Sequence, residues 1–335
     1  MKIILVLLLC FLTLSVYPVY GASEEKIIPL PELNQPRFIA IDGNRLFISE
    51  QFVIYIYSLE DNRLIKKFGS QGEGPQEFKY GTMMNLYSDG LAVISYGKIS
   101  YYTRDGDYIK ENRTPIHFYP GAKILTKDLF VSLKNYVEPQ KSLWILDANF
   151  KPIIEVYKEK IVHRKEEFFA NFWMFTAAEN KIFSVKESEF QVGIYDTNGK
   201  EVASISREYK RVKFPQGFKE EIFQYINSIN TSEETRQRMK KILIFPDFLP
   251  AISNLFYFDN KIYINTFARE KDNNEFFVYT TDGEFIERIL LPITPVYNGY
   301  MFFYPYYIKD GKLYQLIENE NTDCWELHIS ALKPE

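Results

Sequence analysis

Three histidines, His117, His163 and His328, are the side chains best suited to proton transfer or metal ligation near neutral pH. They stand far apart, and the chain contains no H-x-H, H-E-x-x-H or C-x-x-C, so no zinc signature is visible. No G-x-S-x-G elbow for a nucleophilic serine occurs. The remaining candidate is FGSQGEGPQEF, residues 68–78, where Gly69, Gly72 and Gly74 could turn backbone amides toward a phosphate. Its order is G-x-x-G-x-G rather than the dinucleotide G-x-G-x-x-G, no helical pattern follows, and no P-loop lysine is present. It therefore reads as a bend, in which Gly and Pro let the chain turn.

Binding chemistry is better represented. PIHFYPGA (115–122) brings His117, Phe118 and Tyr119 together. KIVHRKEEFFANFWMF (160–175) adds His163, Arg164, Lys165, Phe172 and Trp173, and LPITPVYNGYMFFYPYY (291–307) adds Tyr297, Asn298, Tyr300 and Tyr304. Rings with a few cationic or amide groups suit a pocket for a sugar, a peptide or another protein. The candidate ligand-binding residues are His117, Tyr119, His163, Arg164, Trp173, Tyr297, Asn298 and Tyr300. The same rings suit a packed core, and His117 and His163 each suit a hydrogen-bonded structural position better than the role of a ligand or base. Arg236, Arg238, Lys240 and Lys241 form a charged run beside Glu233 and Glu234. Arg236, Arg238 and Lys240 are candidates for contact with a partner, while a solvated face with i,i+4 pairing is the plainer reading.

These residues must be held by a folded frame. Hydrophobic residues make up 46% and charged ones 25%, which suits a packed domain rather than disorder. A formal net charge of -4 speaks against nucleic acid or an anionic membrane as the partner. Aromatic content of 17%, mostly Tyr and Phe, favours sheet. At the N-terminus Lys2 precedes an apolar run over residues 3–16, and Val19, Tyr20 and Gly21 place a cleavage point before Ala22. Residues 1–21 are thus an expected export signal, too short in its core to span a membrane comfortably. Cys10 lies inside that apolar core behind the large Leu9, which disfavours a lipoprotein box. Removal of the signal leaves Cys324 alone, so no intrachain disulfide forms. Later apolar stretches are short or broken by charge, so no further membrane span is expected, and the mature chain is expected outside the cytoplasm, secreted or periplasmic.

A repeat underlies residues 22–335. An apolar strand, a tight polar turn and a second apolar strand recur at 38–49, 85–95, 124–132, 175–185, 255–265 and 306–316. A second hairpin follows each of the first five, at 53–68, 99–111, 143–156, 192–205 and 276–289. Two hairpins make four antiparallel strands, and six such units make a six-bladed β-propeller. The sixth unit supplies only CWELHIS (324–330) after its first hairpin, so the apolar segment 26–30 is expected to add its outer strand and close the ring. The first-hairpin turns at Asn180 and Asn260 are 80 residues apart, the widest gap in the series. The excess, about 215–246, has helical spacing: Phe218, Ile222, Ile226 and Ile229 share a stripe. Thr231-Ser232-Glu233-Glu234 resembles a capping box opening a second helix with Met239, Ile242 and Leu243, ended by Pro246 and Pro250. A helical hairpin is therefore expected between blades 4 and 5.

Phe68-Gly69-Ser70, Gly72-Glu73-Gly74-Pro75 and Phe78 resemble the linker of NHL repeats, and the chain as a whole resembles the six-bladed, NHL-like propellers of exported bacterial proteins. Only blade 1 carries the full linker. The resemblance implies a fold and almost nothing about activity. The leading expectation is an exported, noncatalytic propeller that binds a protein partner or a small ligand such as a glycan or peptide at one face. A metal-dependent hydrolase or lyase of lactonase type, using a divalent ion on the ring axis, is an alternative, and a structural scaffold in an envelope assembly is a third. No cofactor is expected otherwise, and the oligomeric state stays open.

Overall fold

The structure, a computed structural model, describes residues 20–79, 81–87, 90–114, 121–134, 140–160, 174–186, 189–293, 296–298, 301–303 and 305–334. Six four-stranded antiparallel sheets form the blades. Their first strands are Phe38–Asp42, Met83–Tyr87, Lys123–Thr126, Phe175–Ala178, Ile252–Phe258 and Tyr306–Lys309. Each of these strands touches the first strand of the blade before and after it, blade 6 meeting blade 1, so the six enclose the ring axis. The ring is closed as the sequence implies. Blade 6 takes its outer strand from the N-terminal segment Tyr20–Leu30, antiparallel to Cys324–Pro334. That strand is longer than the expected 26–30, and the expected cleavage point before Ala22 falls inside it.

Six apolar clusters hold the ring, one at each blade seam. Between blades 1 and 2, Phe47, Ile54, Ile56 and Phe78 meet Leu91, Val93 and Tyr102. The ring-closing seam packs Ile28, Leu30, Trp325 and Leu327 against Ile39, Leu46, Ile48 and Tyr57. The alternation of each strand explains this arrangement, because successive residues serve opposite seams. Large rings fill the wedge between adjacent blades; Phe47, Phe78, Phe130, Phe150, Phe183 and Phe276 are almost wholly buried. Packing at the seams thus accounts for part of the high aromatic content.

The antiparallel order sends all first- and second-hairpin turns to one face of the ring and all inter-blade linkers to the other. On the turn face, the first hairpins of blades 4, 5 and 6 place two consecutive residues in the left-handed region, Glu179-Asn180, Asp259-Asn260 and Asp310-Gly311. In blade 1 the two-residue turn is Gly43-Asn44. The five second hairpins differ from a two-residue turn. Each has a register shift just before its turn and one left-handed residue within it: Asn62, Gly106, Phe150, Gly199 and Gly283. This is a turn plus a one-residue bulge, which increases strand twist. Ser58, Thr103, Asp147, Asp196 and Thr280 accept backbone N–H bonds within these turns.

Candidate functional site

Linker-face geometry begins with the glycine-rich stretch. Ser70–Gln71 pairs in parallel with Glu77–Phe78, closing a small loop whose own Glu77 carboxylate fills it. Gly74 N donates to Glu77 Oε2 at 2.8 Å, and a Cβ at Gly72 would stand 2.1 Å from that oxygen. One loop amide, that of Gly74, does meet an anion, but the anion is internal. Lys98 fastens it from blade 2, donating to Gly74 O and to Glu111 Oε2, both at 2.8 Å. Gly69 adopts φ +91°, and a Cβ there would meet Phe52 O at 2.4 Å, so only glycine lets the chain pass. The stretch is a bend that delivers Phe78 to the blade 1–2 core.

The helical insertion is the largest feature of the linker face among the described residues. Helix α1 is Gln216–Ser228 and helix α2 is Glu233–Ile242. α1 has no side-chain N-cap and no acidic first turn, so it depends on packing; Ile222 and Ile226 are buried. Phe214, Phe218, Phe223 and Phe245 form an aromatic cluster about it, with ring centroids 5.2 to 5.8 Å apart. α2 is capped by Ser232, whose hydroxyl accepts from Thr235 N. The residue at the box position is thus Thr235, not a glutamate, so the expected reciprocal capping box is only half made. α2 ends at Ile242, before Pro246 is reached.

The insertion is rooted, not hinged loosely. Its two ends pair at Lys213 and Phe248, with Phe214 N donating to Asp247 O and Leu249 N to Val212 O. Below this neck Arg207 lies over the rings of Phe277 and Phe285 at 4.4 and 4.5 Å and donates to Tyr279 OH. Tyr209 donates to Glu275 Oε2 at 3.1 Å. Glu275 is buried and also receives Thr266 Oγ1 at 2.6 Å and Arg288 Nε at 2.7 Å. Arg288 reaches Glu270 with its other end. Burial works against the Arg288 charge, but the hydrogen bonds to Glu270 and Glu275 outweigh it and hold the guanidinium pKa above its ordinary value. Burial, with the Glu275 carboxylate adding to it, pushes Tyr209 up to about 12. The network is internally satisfied, which makes it an anchor for the insertion and not a reactive pair.

The partner candidates separate on this platform. Arg236 turns inward, donating to Ile229 O at 3.1 Å and Thr231 O at 2.7 Å and pairing with Glu233, so it staples the interhelical turn. Lys240 reaches back to Asn227 Oδ1 at 2.6 Å and lies over Phe223. Arg238 is exposed, as are Arg211, Lys241, Ile242, Ile244 and Phe248. Of the ligand candidates, His117, Tyr119, His163, Arg164, Trp173 and Tyr300 lie outside the described residues. Tyr297 and Asn298 sit on the short strand Val296–Asn298, paired with Met301–Phe303 in the linker between blades 5 and 6. His328 pairs with Glu326 on blade 6, and the Asn319 hydrogen bond followed by the histidine itself holds that carboxyl below its usual range. Among the described residues no three His, Cys, Asp or Glu side chains converge as metal ligands, and no helix is long and apolar enough to cross a membrane.

Sequence reasoning missed Lys123, the first residue of the blade 3 inner strand. The recognised repeat begins one position later, at Ile124, so the lysine fell in the linker. It also missed the Glu270–Glu275–Arg288 network, whose members are separated in sequence and meet only by strand pairing.

No family model and no curated protein matches the chain, so the NHL resemblance is supported only at the level of architecture. Solved structures do match. A member of the DUF4221 family from Bacteroides vulgatus superposes with TM-score 0.56 at 14% identity, over 94% of this chain and 98% of that one. A protein from Bacteroides fragilis, named as an exported one, superposes with TM-score 0.51 at 13% identity, over 94% and 97%. At such identities the likeness is one of fold: this chain shares the whole six-bladed ring of these Bacteroides proteins.

Proposed function

We propose that this protein is an exported, noncatalytic propeller that binds a protein partner on its linker face, with the helical hairpin as the docking platform. The observation that carries this reading is the rooted insertion with an unburied second helix. None of the residues of α2 is buried, and exposed Arg238 and Lys241 stand near exposed Ile242, Ile244 and Phe248. Residues 207–250 hold nine Lys or Arg and six Asp or Glu, in a chain of net charge -4. An apolar patch rimmed by positive charge suits a partner with an acidic rim around an apolar centre. The neck pairing joins the two ends of the insertion to each other, which suits a surface presented from the ring. Export is supported by the signal-like N-terminus and by the likeness in fold to a Bacteroides fragilis protein named as exported.

The test uses the mature chain as bait against an envelope extract from its own cells, beside a variant with residues 215–246 replaced by a short Gly-Ser linker. Because Lys213 and Phe248 already pair, the excision leaves the ring ends in place. A partner held by the intact chain, lost on excision and weakened by Arg238→Glu with Lys241→Glu, is the expected result. Retention of the same partner by the excised ring would overturn the platform.

A further inference from the structure

Free strand edges in a β ring must be kept from pairing at random. Five of the outer strands carry a register shift near their start, and the sixth carries Pro29. The neck beneath the helical hairpin differs. There residues 210–214 run antiparallel to 246–250, with Phe214 N donating to Asp247 O and Leu249 N to Val212 O. Lys213 and Phe248 stand opposite each other between these two bonds, as a non-hydrogen-bonded pair. The N–H and C=O of Lys213, and by alternation those of Arg211, therefore point away from the partner strand. On the other strand the outward positions are Phe248 and, two residues to either side, Pro246 and Pro250, which have no N–H to offer. Among the described residues neither Arg211 N nor Lys213 N has a backbone acceptor. One edge of the neck is blocked by proline and the other is open.

Charge marks the same edge. Residues 208–214 hold three basic side chains and one acidic one. Lys210, Arg211 and Lys213 are exposed, and among the described residues none of their side chains has an ion-pair partner. Arg211 lies over the Phe248 ring at 5.4 Å, so Arg211, Lys213 and Phe248 share one exposed face of the ribbon. Val212, Phe214 and Leu249 take the other, more buried face. The cations repel a second copy of this edge and leave it free for a strand of opposite charge.

We propose that this edge takes an extended acidic segment of the protein partner by strand addition, with carboxylates beside Arg211 and Lys213 and apolar residues on the Val212 side. Main-chain hydrogen bonds supply the attachment, and the paired charges supply the selection. The inference rests on the docking reading for the nature of the partner and adds the way that partner is held.

The intact mature protein is titrated, by fluorescence anisotropy, with a labelled peptide of alternating glutamate and valine. Saturable binding is expected, at least ~10-fold tighter than that of the same peptide with lysine in place of glutamate. N-methylation of the glutamates blocks an antiparallel ladder and N-methylation of the valines a parallel one. One methylated peptide should therefore lose at least ~10-fold and the other keep its affinity. Arg211→Glu with Lys213→Glu should lose at least ~10-fold, while Arg238→Glu with Lys241→Glu, on α2, should bind as the parent does. Circular dichroism and a melting curve establish that each variant is folded. No saturable binding up to ~1 mM, methylated peptides that bind alike, or unchanged binding by the folded Arg211→Glu, Lys213→Glu variant would each overturn the proposal. Peptide binding without a captured envelope partner would sink the platform and support the edge; capture without peptide binding would overturn the edge alone.

Discussion

The two faces of the ring follow different rules. On the turn face the blades are near copies. Five second-hairpin turns repeat one bulged geometry, and three of them lean on the preceding blade through a glycine: Gly106 on Ile56, Lys66 and Phe68, Gly199 on Ile154, Gly283 on Ile194 and Ile205. Ion pairs cross the same seams, as between Arg45 and Asp105, Lys66 and Asp107, and Lys181 and Asp282. On the linker face the described connections differ. One is a glycine loop closed round Glu77, one is a short two-stranded ribbon, and one is a helical hairpin. Ring closure explains the contrast. Every turn must meet the next blade at the same angle, while a linker needs only to span from an outer strand to the next inner one. The linker face is therefore free to vary, and variation on a rigid scaffold is where binding surfaces arise.

The sharpest way to break this contrast is to attack the anchor beneath the platform. Arg288→Met leaves the buried Glu275 without its cation, and chemical denaturation should show a loss of ~3–5 kcal/mol. A loss below ~1 kcal/mol would mean the network is water-satisfied and not an anchor. Gly69→Ala, forced against Phe52 O at positive φ, should cost ~2–3 kcal/mol by the same assay; a neutral result would show that the linker can relax. Replacing 215–246 with a Gly-Ser linker should leave the melting midpoint close to that of the parent, because the ring cores do not include the hairpin. A collapse of cooperativity would make the insertion part of the fold. Lys123→Met should raise stability at neutral pH. The lysine's folded pKa lies below its unfolded one, so its charge opposes folding wherever the ammonium is retained, and removing the group removes that penalty. On the turn face a double-mutant cycle on Arg45 and Asp105 should give only ~0–1 kcal/mol, vanishing in high salt, since Asp105 is largely exposed.

Much of this molecule was legible in its sequence. Alternating strands punctuated by Asp, Asn and Gly gave six blades at the right places, and the missing outer strand pointed to the N-terminal segment. The helical stripe of Ile222 and Ile226 was equally plain, since burial repeats with the period of the helix. The site was less so. Arg236 and Arg238 are two positions apart and look alike in a sequence. On α2 they point in different directions, one into the interhelical turn and one to solvent. Lys123 carried no signal because its burial is set by the packing of the folded ring and not by its local stretch of chain.

By itself, the sequence determined the periodic features: blade number, hairpin rhythm, helical insertion and the need for a strand from the N-terminus. These are local properties, set by side-chain alternation, turn chemistry and helical spacing within a few residues. Only the tertiary structure decided which charges are paired and which are left over. Glu77 found the Gly74 amide of its own loop, Glu275 found Arg288, and Lys123 found no partner among the described residues. Such outcomes depend on which blades meet and how much water remains between them, and neither distance nor dielectric is written in any one stretch of chain.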